Sequence, residues 1–393
     1  MIDEKIQQAI GILQEKEIDM WLTFVRETHV MEDPILDFIL GTGVTWQSAF
    51  IITASGETLA IAGNLDIANL EGRGHYQEHI SYVQSIRNDL IAVLSRFNPN
   101  TIAINYSLNT PSADGLTAGM YLHLMSLLKN TPFADRLVSA ESIIAALRGR
   151  KTPEELSRMR TAIDSTLEIF GEVTGFIRPG KTEKEIADFV SEKVAQRNLT
   201  LAWDREMCPA VFTGPHSAGA HAGPTDRVIE PGHLLNMDFG VKVDGYCADL
   251  QRTWYICREH ETAAPEHVQH GFRTLRKSID LVADALKPGV TGKAMDDIVR
   301  NYLIENGYEG YPHGLGHQVG RAAHDGGALL GPDWERYGNT PFIPVEASEV
   351  YTIEPRLFIP DHGIVTIEEE VLVGESGSEF LSPPQAELWV ISG

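Results

Sequence analysis

The residues best suited to chemistry fall in three short stretches. In the first, Asn236-Met237-Asp238-Phe239-Gly240 and Tyr246-Cys247-Ala248-Asp249-Leu250-Gln251-Arg252-Thr253 flank Val243-Asp244-Gly245. An Asp-Gly pair between roughly alternating apolar and polar residues predicts a β-hairpin. With Asp244 and Gly245 as the turn, Asp249 faces Gly240 and Asp238 lies diagonally opposite. With the turn centred one residue earlier, the two acids oppose each other directly. In either register both carboxylates emerge on one face, because strand side chains alternate with period two. Two acids side by side on a half-buried sheet repel unless something cationic sits between them, and a metal ion is the natural candidate. The plain alternative is a pair of solvated acids on an edge strand.

The second stretch is His313-Gly314-Leu315-Gly316-His317, followed by His324-Asp325. Its glycines let the backbone approach closely and aim the His317 imidazole. The third runs from Val350-Tyr351-Thr352-Ile353-Glu354-Pro355 through Pro360-Asp361-His362-Gly363 to Ile364-Val365-Thr366-Ile367-Glu368. It reads as a second hairpin with Glu354 and Glu368 symmetric about Asp361. Each glutamate sits in an apolar strand, an expensive place for an unpaired carboxylate. Four acids and one imidazole aimed from strands and a glycine loop are best explained by two divalent cations. The chain carries no dinucleotide fingerprint, no His-Glu-x-x-His helix and no Gly-x-Ser-x-Gly elbow.

The elements that must hold these side chains divide the chain near Arg148-Gly149-Arg150-Lys151. Residues 1–148 read as an α/β unit. A helix is expected over Ile6–Gln14 and strands at Met20–Val25, Ala49–Thr53, Thr58–Ala62 and Thr101–Asn105. A buried helix is expected over Tyr121–Leu128, using Leu122, Leu124, Met125, Leu127 and Leu128. This part has no ligand cluster or phosphate loop and reads as a scaffold or lid. Residues 149–393 open with Thr152-Pro153-Glu154-Glu155, a capping box with Pro at the first helical position. Leu156, Met159, Ile163, Leu167, Phe170 and Val173 then make one apolar helix face. An internal echo follows. Arg178-Pro179-Gly180-Lys181-Thr182 leads to Asp188-Phe189-Val190, and 109 positions later Lys287-Pro288-Gly289-Val290-Thr291 leads to Asp297-Ile298-Val299. Matching flanks argue for a duplicated helical unit with a site at its pseudo-symmetric centre.

Composition narrows the classes. The 393 residues are 43% hydrophobic and 22% charged, as in ordinary globular proteins, and suggest two or three domains. A formal net charge of −23 argues against nucleic acid or an anionic membrane as partner. The sparse, odd set Cys208, Cys247 and Cys257 suits a reducing compartment. With no basic-apolar leader and no long apolar stretch, a cytoplasmic location is expected.

Taken together, Asp238-Phe239-Gly240, Tyr246-x-x-Asp249-Leu250-x-Arg252-Thr253, His313-Gly314-x-Gly316-His317, Glu354-Pro355 and Ile367-Glu368-Glu369 resemble the Xaa-Pro peptidase family with the pita-bread fold. That family includes prolidase, aminopeptidase P and, more distantly, methionine aminopeptidase and creatinase. The resemblance covers the chain from about 150 onward, with a weaker match in the N-terminal part. It implies an α/β (α+β) fold: a creatinase-like N-terminal α/β domain followed by a pseudo-twofold pita-bread domain. It implies Asp238, Asp249, His317, Glu354 and Glu368 as ligands of two divalent ions, with Asp249 and Glu368 bridging. Mn²⁺ is the first choice, with Co²⁺, Fe²⁺ or Zn²⁺ as alternatives. His221 lies 17 residues before Asp238 and His324 seven after His317, matching the family's two substrate-side histidines, and His313 matches a further site histidine. The implied reaction is hydrolysis of the bond before proline in a small peptide, with Glu354 shuttling the proton. A homodimer is implied too, the N-terminal domain shaping the neighbour's site entrance.

Three positions depart from the family pattern. Thr366 stands where an Arg is usual, Phe358 where a Tyr is usual, and Arg356 where a Gly follows the Glu-Pro pair. The usual Arg and Tyr support a ligand aspartate, so these changes bear on substrate choice, and Arg356 is the candidate replacement guanidinium. The competing readings are a relative that acts on a small non-peptide amide, amidine or thetin, and an inactive pita-bread domain used for binding. Retention of the whole ligand set argues against the second.

Overall fold

Within Met20–Val25, alternate residues serve two different apolar layers: Trp21 and Val25 pack with the helix Ile2–Glu15, whereas Met20, Leu22 and Phe24 pack with Leu90, Leu94, Met120 and Leu124. This strand is central in a six-stranded mixed sheet, covered on both faces. The order runs Glu78–Tyr82, Thr58–Gly63, Ser48–Thr53, Met20–Val25, Ile102–Ile104, Leu137–Ser139. The structure, a computed structural model, describes residues 1–217 and 223–392. The chain forms two compact units, Met1–Arg148 and Gly149–Gly393.

In the first unit the expected strands are present, and the Ser48–Thr53/Thr58–Gly63 pair is antiparallel. The helix Ala118–Leu127 is also present but is not buried all round. Leu124 and Leu127 face the core, while Leu122 is 67% exposed. A run of leucines marks a helix but does not say which flank the sheet covers. Two strands were not foreseen, Glu78–Tyr82 and Leu137–Ser139. Both lie at sheet edges and lack the continuous buried apolar runs of the central strands.

The second unit carries the duplication. Helices Pro153–Phe176 and Glu183–Gln196 form one pair, and Glu266–Ala285 and Gly292–Glu305 the other. The capping boxes at Thr152 and Thr182 are made, and Thr291 caps the last helix through the Ala294 N–H. Gly180 and Gly289 both adopt φ +89°, and their N–H groups donate to Ile229 and Val345 carbonyls respectively. The two Pro-Gly turns are therefore alike in conformation and in how they are tied down. The strands between and after these helices carry the candidate site. Trp389–Ile391, Leu250–Ile256, Leu234–Phe239 and Ala210–Thr213 form a four-stranded sheet in that order. Cys208, Cys247 and Cys257 are all buried and unbridged.

Candidate metal centre

The Asp-Gly turn sets the register. Val243 pairs with Tyr246 and Lys242 with Cys247, while Asp244 (φ 47°) and Gly245 (φ 84°) make the two-residue loop. The same register continues to Phe239↔Leu250 and Asp238↔Gln251. Asp249 therefore faces Gly240 and Asp238 lies diagonally opposite, the first of the two registers considered. Gly240 is required there, since a Cβ would fall 1.7 Å from the Ala248 carbonyl oxygen.

The glutamates lie where a second ladder breaks. Val350–Ile353 pairs with Glu369–Val373, and Arg356–Ile359 with Gly363–Thr366, in one common register. Between these segments the pairing is interrupted at Glu354-Pro355 and Ile367-Glu368. Proline has no N–H to give, so the ladder cannot run through Pro355. The freed amides go elsewhere: Glu354 N–H donates to the Leu315 carbonyl (2.8 Å) and Glu368 N–H to the Gln251 carbonyl (3.2 Å). In this way the histidine loop and the aspartate hairpin are both tied to the glutamate hairpin. His317 N–H donates to Thr352 Oγ1 at 3.1 Å. A Cβ at Gly316 would lie 1.9 Å from the Thr352 carbonyl oxygen, so the loop approaches only as glycine.

These ties bring the acids and the imidazole together. His317 Nε2 lies 3.3 Å from Glu354 Oε1, 3.8 Å from Asp249 Oδ2 and 4.0 Å from Glu368 Oε1. Asp249, His317 and Glu368 each offer a ligand atom within 4.8 Å of the others. The Asp238 and Asp249 carboxyls lie against each other. Asp238 Oδ1 is nonetheless buried without a partner among the described residues. Burial, then the charges of Glu368 and Glu354, holds the Asp238 carboxyl well above the usual range. Asp249 is raised likewise by burial, then by Asp238, Glu354 and Glu370, and Glu368 by burial, then by Asp249 and Glu354. Crowded carboxyls, an orphan oxygen and an imidazole fit a divalent cation, which would neutralise the repulsion and take the unpaired oxygen.

Of the histidines, His324 has its ring centroid 4.2 Å from that of His317. His313 sits on the loop with Nδ1 2.8 Å from the Gly314 carbonyl. Burial raises the Glu354 carboxyl, but its bond to His317 and the nearby imidazoles of His317, His313 and His324 outweigh this and leave it below its ordinary value. His221 lies outside the described residues. Arg356 is directly across the ladder from Thr366. Burial lowers the affinity of its guanidinium for the proton, opposed by nearby Glu354. Phe358 is 49% exposed.

Sequence reasoning missed two residues, Gln251 and Glu370, and gave Thr366 no hydrogen-bond partner. Gln251 donates from Nε2 to Glu368 Oε2 (2.8 Å) and Glu354 Oε2 (3.3 Å). Thr366 Oγ1 donates to Gln251 Oε1 at 2.8 Å. Glu370 Oε1 accepts the Asp249 N–H at 2.8 Å, and burial pushes its carboxyl up to about 8. A signal for Gln251 was present: it lies two residues beyond Asp249, on the same strand face, and opposite Asp238.

A cluster of acids and one imidazole on strands, flanked by two like helix pairs in an α/β unit, defines a metal-dependent hydrolase. Residues 157–375 match the profile described as "Metallopeptidase family M24", and the chain belongs to that family. It is thus a metallopeptidase with the pita-bread fold. Among curated relatives, an uncharacterized peptidase of Staphylococcus aureus (strain bovine RF122 / ET3-1) is 27% identical over 302 residues, covering 76% of this chain and 80% of its own. An uncharacterized peptidase of Staphylococcus saprophyticus is 26% identical, over 85% of this chain and 87% of its own. Among solved structures, an Xaa-Pro dipeptidase from Bacillus anthracis superposes with TM-score 0.75 at 21% identity, covering 100% of both chains. An X-Pro aminopeptidase from Thermotoga maritima gives 0.71 at 22% identity, over 98% of this chain and 99% of its own.

Proposed function

We propose that this metallopeptidase cleaves the bond preceding proline in short peptides and uses two divalent ions, Mn²⁺ first among them. The metal centre in this reading is carried by one observation, that Asp249, His317 and Glu368 converge within 4.8 Å of one another, and the Xaa-Pro substrate class is supported by likeness to the Xaa-Pro dipeptidase and X-Pro aminopeptidase structures. Asp238, with its partnerless buried oxygen, and Glu354, beside His317, complete the set. These five residues would hold the ions. When bound, such ions supply Lewis acidity, activating water and polarising the scissile carbonyl. Glu354, kept ionised by the surrounding imidazoles, accepts a proton on its carboxylate and delivers it to the leaving imide nitrogen. His324 and His221 orient the carbonyl and stabilise charge developing on its oxygen. His313 and Arg356 serve the substrate. Arg356 stands near Glu354 and opposite Thr366, and its guanidinium makes no hydrogen bond or ion pair among the described residues. That leaves its guanidinium for a peptide carboxylate. Two copies of the chain associate in this reading, and the protein works in the cytoplasm on small peptides. No helix among the described residues is long and apolar enough to cross a membrane.

The test is a panel of Xaa-Pro dipeptides, longer Xaa-Pro peptides, Xaa-Ala controls and small amides, run on EDTA-treated protein with and without Mn²⁺. Turnover of Xaa-Pro substrates that depends on added metal is expected. Equal rates on Xaa-Ala and Xaa-Pro would overturn the specificity, and full activity in EDTA would overturn the metal requirement.

A further inference from the structure

Gln251 is 3% exposed and Thr366 2% exposed, both beneath the acid cluster. The Gln251 amide has two N–H bonds and divides them between two carboxylates, at 2.8 Å from Glu368 Oε2 and 3.3 Å from Glu354 Oε2. The remaining oxygen of each glutamate, Oε1, lies toward His317 Nε2, at 4.0 Å for Glu368 and 3.3 Å for Glu354. Ionised carboxylates only accept hydrogen bonds, so the amide nitrogen must face them. The amide oxygen is then fixed from behind by the Thr366 hydroxyl at 2.8 Å. The backbone repeats the grip, since the Gln251 carbonyl accepts the Glu368 N–H at 3.2 Å. A neutral donor has one further property here. It orders two acids without cancelling the negative charge that a cation needs, which a guanidinium in the same place would do.

We propose that Gln251, aligned by Thr366, is a positioning residue that engages one oxygen of Glu354 and one of Glu368, leaving the other oxygen of each to face a divalent cation. The proposal rests on the metallopeptidase reading above, and it concerns this chain's own way of supporting its ligands. Thr366, at one of the departures from the family pattern, becomes the residue that makes a glutamine usable in this position.

The test is titration of Mn²⁺ into EDTA-stripped protein by calorimetry, with the electron paramagnetic resonance line shape of bound Mn²⁺ as a second readout. Wild type is compared with Gln251→Met, which keeps the volume and removes both donors, and with Thr366→Val and Thr366→Ser. Removing partners of this kind typically weakens metal binding about 10–100-fold. Gln251→Met should fall in that range with an altered line shape, and Thr366→Val should weaken binding less. Thr366→Ser, which keeps the hydroxyl, should restore wild-type affinity. In steady state the Gln251→Met loss should appear in kcat at saturating Mn²⁺, with KM little changed. A purely structural role would instead lower the thermal midpoint of stripped protein and leave affinity and line shape alone. Wild-type affinity and line shape in folded Gln251→Met would overturn the proposal. Should that variant fail to fold, the pair at Thr366 decides, and equal affinity of the Val and Ser variants would overturn it. Failure of the wild type itself to bind Mn²⁺ would overturn the metal reading, a result distinguishable from parity between binding-competent proteins.

Discussion

At the scale of single residues, each acid in the cluster has a different neighbour set, and each substitution therefore reads out a different property. Asp249 and Glu354 are the clearest cases. Asp249→Asn keeps the shape but removes a charge from the cluster. Glu354→Gln removes the proposed proton carrier. Both are expected to reduce kcat/KM at least about 1,000-fold, a loss of about 4 kcal/mol in transition-state stabilisation, with circular dichroism unchanged. Near-normal hydrolysis by either variant would sink the assignment. Arg356 should behave differently. If its guanidinium takes a substrate carboxylate, Arg356→Ala raises KM about 10-fold on dipeptides and leaves kcat nearly constant. A free carboxylate farther from the scissile bond, as in a longer peptide, should feel the change less. Identical kcat/KM in variant and wild type on both substrate lengths would remove Arg356 from the site.

At the scale of elements, the site stands on hydrogen bonds that leave one ladder to join another, and this governs what could be read beforehand. The Asp-Gly turn, the glycines around His317 and the symmetry of Glu354 and Glu368 about Asp361 are local patterns, so the elements that carry the candidate ligands were legible. The turn also limited the register to two choices, though only the structure selects between them. Gln251 and Glu370 were not legible. Gln251 meets Glu368 117 residues away in sequence and Glu370 meets Asp249 121 residues away, contacts that no local periodicity encodes. Arg252 shows the same kind of distant tie. Fully buried, it donates to the Glu368 carbonyl at 2.9 Å, to Glu369 at 3.1 Å and to the Pro383 carbonyl at 3.2 Å. Arg252→Ala strands the Glu369 charge inside the protein, and breaking a buried pair in this way costs about 3–5 kcal/mol. Denaturant unfolding should show that loss even with the metal removed. A change below about 1 kcal/mol would mean that Glu369 is satisfied by Ser382 and Gln385 alone.

At the scale of the whole molecule, the buried acids tie stability to pH and to metal together. Burial raises Glu349 from 4.5 to about 7 and Glu370 from 4.5 to about 8, and Asp238, Asp249 and Glu368 are raised as well. A carboxyl raised in the folded state contributes stability that is fully present below its unfolded value and lost as pH rises through its folded value. Glu354, held below its ordinary value, has the opposite sign and acts only toward acid. Metal-free protein should therefore melt lower at pH 8.5 than at pH 5.5, most of the loss falling between about pH 4.5 and 8. Metal binding needs the acids deprotonated, so Mn²⁺ should give its largest gain where the stripped protein is weakest. At about 100 times Kd that gain is about 2.7 kcal/mol. For a unit the size of Gly149–Gly393, this raises the thermal midpoint by about 5–10 °C. Hydrogen exchange locates the effect. All the proposed ligands lie in the second unit, so added Mn²⁺ should slow exchange in segments 234–256, 313–325 and 350–373 and leave the central strands at 20–25 and 48–63 unchanged. Equal protection in both units would show that the ions bind elsewhere than at the cluster on which every other expectation depends.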